Sequence, residues 1–197
     1  MALQRICVFA GSNPGNRPEY REAARLLGKE LVANGLGVVY GGGSVGLMGT
    51  LADSVLEQGG EIIGVMPQGL FRREIAHAHL TKLFEVESMH ARKALMADLA
   101  DGFIALPGGF GTFDELFEIT TWAQIGIHSK PIGLLNVAHY FEPLLALVTH
   151  ASNEGFIPST HVRLLLVQEY VSELISSMLN YQPYEREEKW VELPPAR

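Results

Sequence analysis

A glycine-rich segment followed by two acidic residues is the part of this 197-residue sequence with the clearest chemical potential. Glycines let the backbone approach an oxyanion, and a helix that starts here adds the partial positive charge of its N-terminus. A threonine hydroxyl in the segment can donate one more hydrogen bond. We therefore predict a phosphate-binding loop without a lysine, made by Gly108, Gly109, Phe110, Gly111 and Thr112.

Two interpretations are open for Glu115, which follows this loop. Thr112-x-x-Glu115 fits a capping box, in which the threonine caps the helix and the glutamate reaches back to the cap. Alternatively, a carboxylate one turn beyond a phosphate loop faces the mouth of a cleft and meets the ribose of a nucleotide. We favour the second interpretation because of this position. The adjacent Asp114 is expected to serve the helix N-terminus, and we include it among the candidate substrate-binding residues.

Arg92 and Lys93 fall in the first turn of a predicted helix, where cations oppose the helix dipole. Residues that break a local rule are candidates for function. The alternative is that both are solvated surface cations.

A second glycine-rich loop, Gly41–Gly49, joins a strand to a helix and contains the dinucleotide-binding spacing Gly-x-Gly-x-x-Gly. A dinucleotide site also needs an acidic residue at the end of the next strand, and that strand ends at Met66-Pro67. The loop then favours a tight turn or a contact to a mononucleotide or sugar phosphate.

Weaker candidates surround these motifs. Ser12, Gly43 and Met89 are expected to border the cleft, and Glu74 reaches a ligand if its loop folds over it. No metal site is predicted, because His77 and His79 lack a third ligand and read as surface histidines. Cys7 is the only cysteine, which excludes an intramolecular disulfide, and it is expected to be a small buried apolar residue.

Alternating aliphatic runs and amphipathic segments must position these residues. Runs without polar alternation are typical of a parallel sheet that is covered on both faces. The pattern predicts an α/β fold, with a Rossmann-like, doubly wound, mostly parallel sheet in a single domain over 1–180 and a flexible tail over 181–197. Strands are predicted at 6–9, 37–40, 61–66, 83–86, 102–106, 132–135 and 162–167, and helices at 19–34, 47–58, 89–100, 112–125, 140–154 and 171–179.

Composition narrows the function classes. The net charge is −7 and Lys and Arg do not cluster, so no nucleic-acid partner is expected. No apolar run is long enough to cross a membrane, and the first apolar run breaks at Gly11, too early for a signal peptide. We therefore expect a cytoplasmic protein without a membrane partner.

The motifs together resemble those of the Lonely Guy proteins. Pro107 to Glu115 is similar to that family's PGGxGTxxE signature, Arg92-Lys93 to its Met-x-x-Arg-Lys element, and Gly41–Gly49 to its GGGxxGLMG loop. The similarity runs from Ile6 to about Gln168. These proteins are cytokinin riboside 5′-monophosphate phosphoribohydrolases, once described as lysine decarboxylases.

The resemblance implies hydrolysis of the N-glycosidic bond of N6-substituted AMP, which gives a free base and ribose 5-phosphate. It implies a homodimer with the site near the subunit interface, a nucleoside monophosphate substrate, and no metal or organic cofactor. Arg92 and Glu115 match the family's catalytic pair, and Gly108 to Thr112 match its phosphate loop. Lys93, Glu74 and Thr120 fall at substrate-contact positions, although the residues around Glu74 depart from the Gly-Glu of many members.

The sequence leaves three alternative functions open. A nucleotide or molybdenum-cofactor carrier on the same fold would bind without catalysis, but it would not need both Arg92 and Glu115. A lysine decarboxylase would need pyridoxal phosphate on a lysine, for which Lys130 and Lys93 are poor candidates. A general AMP ribohydrolase would act on the cytokinin only incidentally.

Overall fold

Seven parallel strands form one sheet in the part of the chain that the structure, a computed structural model, describes, which is residues 3–69 and 76–183. The strands lie in the order β4-β3-β2-β1-β5-β6-β7 and all pair in parallel. They are β1 (Arg5–Phe9), β2 (Gly37–Tyr40), β3 (Ile62–Pro67), β4 (Lys82–Val86), β5 (Gly102–Ala105), β6 (Ile132–Leu135) and β7 (Leu165–Gln168).

Helices connect the strands and cover both faces of the sheet. One core joins α1, α2 and α6 to one face, and the other packs residues of α3, α4 and α5 against the opposite face. Alternate residues of β1 pack into the two cores, Ile6 and Val8 into the first and Cys7 and Phe9 into the second. The helices are α1 (Pro18–Ala33), α2 (Gly46–Glu57), α3 (Met89–Leu99), α4 (Phe110–Gln124), α5 (Glu142–Asn153) and α6 (Val171–Leu179).

The strand order reverses between β1 and β5. From β1 the chain builds outward through β2 and β3 to β4, then crosses back along α3 to place β5 on the other side of β1. The loops that leave β1 and β5 therefore diverge to opposite faces and open a crevice at the carboxyl edge of the sheet. In α/β proteins this switch point is where ligands bind.

The predicted α/β fold, with its order of strands and helices, is confirmed. Two boundaries differ from the expectation near the C-terminal end. The helix predicted from residue 140 begins at Glu142, because Val137–His139 forms a 3₁₀ turn first. The last strand begins at Leu165, since Ser159–Leu164 is also a 3₁₀ helix. Residues 184–197 of the predicted tail lie outside the described residues.

Among the described residues, no helix is both long enough and apolar enough to span a bilayer.

Candidate active site

A cleft of about 380 Å³ lies at the switch point of the sheet. The loop after β1 forms one wall and the loop after β5 forms another, and α2, α3 and α4 each contribute side chains. The lining includes the polar or glycine residues Ser12, Arg92, Gly109, Thr112, Glu115 and Tyr140.

The predicted phosphate loop forms the start of α4. Gly109 is the N-cap and Phe110 the first helical residue. The first amides of a helix have no intrahelical acceptor, so they are available to an anion. Added Cβ atoms at Gly109 and Gly111 would meet nothing within 4 Å, which shows that both glycines face open space.

The helix start excludes the capping-box interpretation of Glu115. Thr112 is the third residue of α4 rather than its N-cap, and the cap residue Gly109 has no side chain to accept a hydrogen bond. Thr112 is buried instead, with its hydroxyl next to Gly108, where an added Cβ would lie 2.1 Å from Oγ1.

Arg92 is buried, with 7% of its surface exposed, and three groups hold its guanidinium. Nε donates to the carbonyl of Val65 in β3 at 3.0 Å. One Nη donates to the carbonyl of Gly41, directly after β2, at 3.2 Å. The other Nη lies 3.9 Å from the sulfur of Met89, one turn earlier in α3. The helix dipole opposes a cation here, and these backbone acceptors offset that cost.

Glu115 lies beside this guanidinium. Its Oε1 is 3.9 Å from Nη1 of Arg92, and only 9% of the residue is exposed. The carboxylate is therefore set into the wall of the cleft rather than at an exposed rim. The two side chains are therefore buried together, with opposite charges 3.9 Å apart, in the wall of the cleft.

The glycine-rich loop before α2 supports the cleft instead of binding a phosphate with its helix amides. The amides of Leu47 and Met48 donate to the carbonyl of Gly11 at 2.9 and 3.4 Å. Gly11 in turn donates to the carbonyl of Pro107 at 3.1 Å, so the loops after β1, β2 and β5 are linked. An added Cβ at Gly41 would lie 1.8 Å from Nη2 of Arg92, which explains the glycine there.

Lys93 and Asp114 lie outside the cleft lining and pair with each other. Lys93 Nζ is 2.9 Å from Asp114 and 3.0 Å from Glu118, and this links α3 to α4. Burial lowers the pKa of Lys93, but the hydrogen bonds and charges of the two carboxylates outweigh burial and raise it overall. Asp114 thus neutralises a lysine, beyond the helix-terminal role expected from its position.

Of the other predicted substrate contacts, some lie at the cleft and others lie elsewhere or outside the described residues. Ser12 lines the cleft, and Met89 touches Arg92 from a half-exposed position. Thr120 lies further along α4, where its hydroxyl donates to the carbonyl of Leu116 and it borders a separate, mainly apolar cavity. Gly43 forms a β-bridge with Ala76. Glu74 lies outside the described residues.

Tyr140 and Tyr20 are lining residues that sequence reasoning missed, and Tyr140 makes the more informative contacts. Its hydroxyl donates to the carbonyl of Gly108, and its ring packs edge-on against Tyr20 at 5.7 Å between centroids. Burial raises the pKa of Tyr140, so the hydroxyl keeps its proton at neutral pH. The one available signal was its place after a strand at the carboxyl edge of the sheet, which is shared by many residues without function.

The titratable groups outside the cleft form no second candidate site in the part of the chain that the structure describes. His77 pairs with Asp53 at 3.0 Å, and no group of three potential metal ligands occurs among residues 3–69 and 76–183. Cys7 is fully buried, as expected, and burial raises its thiol pKa well above the ordinary value.

Fold and cleft together define a Rossmann-like α/β protein with a glycine-rich helix start in the cleft at the switch point of its sheet. A family model described as "Possible lysine decarboxylase" matches residues 48–178. The cytokinin riboside 5′-monophosphate phosphoribohydrolase LOG7 of Arabidopsis thaliana is 48% identical over 92% of this chain and 83% of its own length. LOG of Oryza sativa, with the same activity in its name, is 46% identical over 92% of this chain and 75% of its own. This chain belongs to that phosphoribohydrolase family.

Solved structures agree on the fold. The molybdenum cofactor carrier protein of Chlamydomonas reinhardtii superposes with a TM-score of 0.68 at 21% identity, covering 88% of this chain and 94% of that one. The molybdenum cofactor binding protein of Rippkaea orientalis gives 0.66 at 22% identity, covering 91% and 99%. At this identity the likeness extends to the fold alone.

Proposed function

We propose that this protein hydrolyses the N-glycosidic bond of N6-substituted AMP, releasing the base and ribose 5-phosphate. The observation that carries the proposal is the burial of Arg92 and Glu115 side by side in the cleft that the phosphate loop of α4 also lines. A buried charged pair beside an anion-binding helix start is costly to fold and suits a reaction that develops charge. Family membership at 48% identity supports the same reaction.

The phosphate loop would supply binding energy far from the bond that breaks. Amides at Gly109, Phe110, Gly111 and Thr112 would surround the 5′-phosphate, with the dipole of α4 behind them. Binding energy realised at such a remote group positions the reacting carbon without taking part in the chemistry. This arrangement gives a physical reason for a nucleotide to be preferred over a nucleoside.

Glu115 would act on the ribose. Glycoside cleavage passes through a transition state that resembles an oxocarbenium ion. A buried carboxylate next to the sugar stabilises that cation, binds ribose hydroxyls and orients the attacking water. Its burial strengthens each of these interactions relative to bulk water.

Arg92 would act on the leaving base, where negative charge builds as the bond breaks. A guanidinium does not give up a proton under ordinary conditions, so electrostatic assistance and hydrogen bonding are the roles that fit. Two backbone carbonyls fix the guanidinium, so little reorganisation is needed in the transition state.

Among the secondary contacts, Ser12 is the candidate to meet the substrate directly, because it lines the cleft. Met89 would act through Arg92, and the ion pairs of Lys93 would hold α3 and α4 together beneath the two catalytic residues. The name of the matching family model raises pyridoxal phosphate chemistry, and the chain does not fit it. Lys130 Nζ donates to the carbonyl of Ala97 at 2.8 Å, and the described lining of the cleft contains no lysine.

The reaction is tested with N6-isopentenyl-AMP, AMP and isopentenyladenosine in parallel, with free base quantified by chromatography. We expect base from the two monophosphates and little from the nucleoside, because the nucleoside cannot use the phosphate loop. The ratio between the monophosphates measures the preference for the cytokinin. No base from any substrate, with AMP still bound, would contradict the hydrolase and favour a nucleotide carrier on this fold.

We also propose a homodimer that covers the outer face of α4. Phe110 is 92% exposed and Phe117 43%, and Thr120 lies on the same helix beside the apolar cavity. Phe156, after α5, is 80% exposed. Exposed aromatic side chains are typical of protein interfaces. Thr120 would then lie close to the interface between the two protomers.

Light scattering after size-exclusion chromatography measures the assembly. We expect the natural sequence to have twice the chain mass of 21.6 kDa. Phe117→Glu should shift the protein to single chains, because it would bury a carboxylate in the interface. Leu26→Glu, at an equally exposed position on α1, is the matched control. A natural protein that elutes as single chains would refute the dimer.

A further inference from the structure

The peptide between Gly108 and Gly109 is a part of the phosphate loop whose orientation is not fixed by its own side chains. Glycine lacks a Cβ, and a peptide flanked by two glycines can rotate between orientations that other residues would forbid. One orientation turns an amide proton toward a bound phosphate, and the opposite one turns the carbonyl oxygen toward it. A carbonyl aimed at a phosphate would repel it, so the loop needs something to fix this peptide.

A side chain from the segment after β6 contacts that peptide. The Tyr140 hydroxyl donates to the carbonyl oxygen of Gly108. The peptide is planar and trans, so its C=O and N–H point in opposite directions. A carbonyl held by Tyr140 therefore fixes the direction of the Gly109 amide, the N-cap of α4.

The segment before Tyr140 is built to hold the ring in place. Ala138 and His139 have φ values of +49° and +59°, in the left-handed region that residues other than glycine rarely adopt. Backbone outliers of this kind persist only where the surroundings fix them, and they cluster at functional sites. Here Asn136, which is 2% exposed, accepts from the Phe141 amide at 2.8 Å and so closes the turn around Tyr140.

We propose that Tyr140 is a positioning residue of the phosphate site, which locks the Gly108–Gly109 peptide with its amide toward the anion. This inference rests on the proposed function for its substrate. It concerns affinity for the phosphate and not the chemical step, because the hydroxyl uses its only hydrogen-bond donor on the Gly108 carbonyl. Its ring packs against Tyr20 and Phe141, and Phe at position 140 would keep both contacts.

The test is Tyr140→Phe, which removes the hydroxyl alone. We expect affinity for ribose 5-phosphate, measured by calorimetry, to fall about 5- to 50-fold, in line with loss of a hydrogen bond that supports a charged group. KM for AMP should rise by a similar factor while kcat changes less than about threefold, since the loss is one of uniform binding. Affinity for adenosine should stay unchanged.

Tyr170→Phe, at an exposed position before α6, is the matched control for removal of a hydroxyl. Unchanged affinity of Tyr140→Phe for ribose 5-phosphate would overturn the inference, and so would an equal loss for adenosine or a loss in kcat alone. The calorimetry needs no turnover. A natural protein that binds ribose 5-phosphate but releases no base would therefore refute the proposed function while this test still stands.

Discussion

Glu115→Gln is expected to lower kcat for base release from AMP by about 10²- to 10³-fold, the cost of removing one preorganised electrostatic group. The amide keeps the size of the side chain and its capacity to accept from ribose hydroxyls. It loses the negative charge that stabilises an oxocarbenium-like transition state. KM should change little, because the substrate is neutral at the ribose. Steady-state kinetics with chromatographic detection of the base measures both constants.

Glu173→Gln is the matched control, because Glu173 lies exposed in the first turn of α6, away from the cleft. It should retain the natural rate. If Glu115→Gln also retains it, the carboxylate has only a structural role and the proposed mechanism fails. Thermal unfolding of each variant separates a loss of chemistry from a loss of folded protein.

Gly41→Ala is expected to reduce kcat by about 10²-fold, although the glycine itself contributes no side chain to the reaction. The added Cβ would lie 1.8 Å from Nη2 and 3.0 Å from Cζ of Arg92, so the guanidinium must move. The φ angle of Gly41 is not in the left-handed region, so alanine is not strained there. The clash is with a side chain and not with backbone, but displacing the guanidinium also breaks its buried hydrogen bond to the Gly41 carbonyl, so we expect some loss of stability as well. Thermal unfolding measures that loss separately from the loss of kcat.

A double-mutant cycle with Arg92→Ala tests this mechanism directly. If Gly41→Ala acts through the guanidinium, it should add no further loss of kcat to Arg92→Ala. A further tenfold loss in the double variant would show that Gly41 affects catalysis by another route. Full activity of the single variant would show that Arg92 tolerates displacement and is not preorganised.

Local sequence was sufficient to predict the fold and to select Arg92 and Glu115 as candidates. Unbroken aliphatic runs identified buried parallel strands, and glycines after the fifth strand identified the loop at the start of α4, because both depend on neighbouring residues. The position of Arg92 against the helix dipole already marked it as unusual. The resemblance to the Lonely Guy proteins, which the comparisons confirmed at the level of the family, rested on the same segments.

Long-range contacts decided the rest. Arg92 is 51 residues from Gly41, and Tyr140 is 32 residues from Gly108, so no local pattern pairs them. The exit of β2 could be recognised as glycine-rich, but the reason for Gly41 is a guanidinium that arrives from α3.

The capping box shows the same limit on a shorter scale. Thr112 and Glu115 have its spacing, yet α4 begins two residues before Thr112 and leaves Glu115 to the cleft. Lys93 adjoins Arg92 in sequence but projects to Asp114 and Glu118, because successive residues of a helix do not share a face. Sequence determined which residues of this protein could do chemistry. The tertiary structure decided which of them share a cleft, because that depends on how strands and helices from distant parts of the chain pack together.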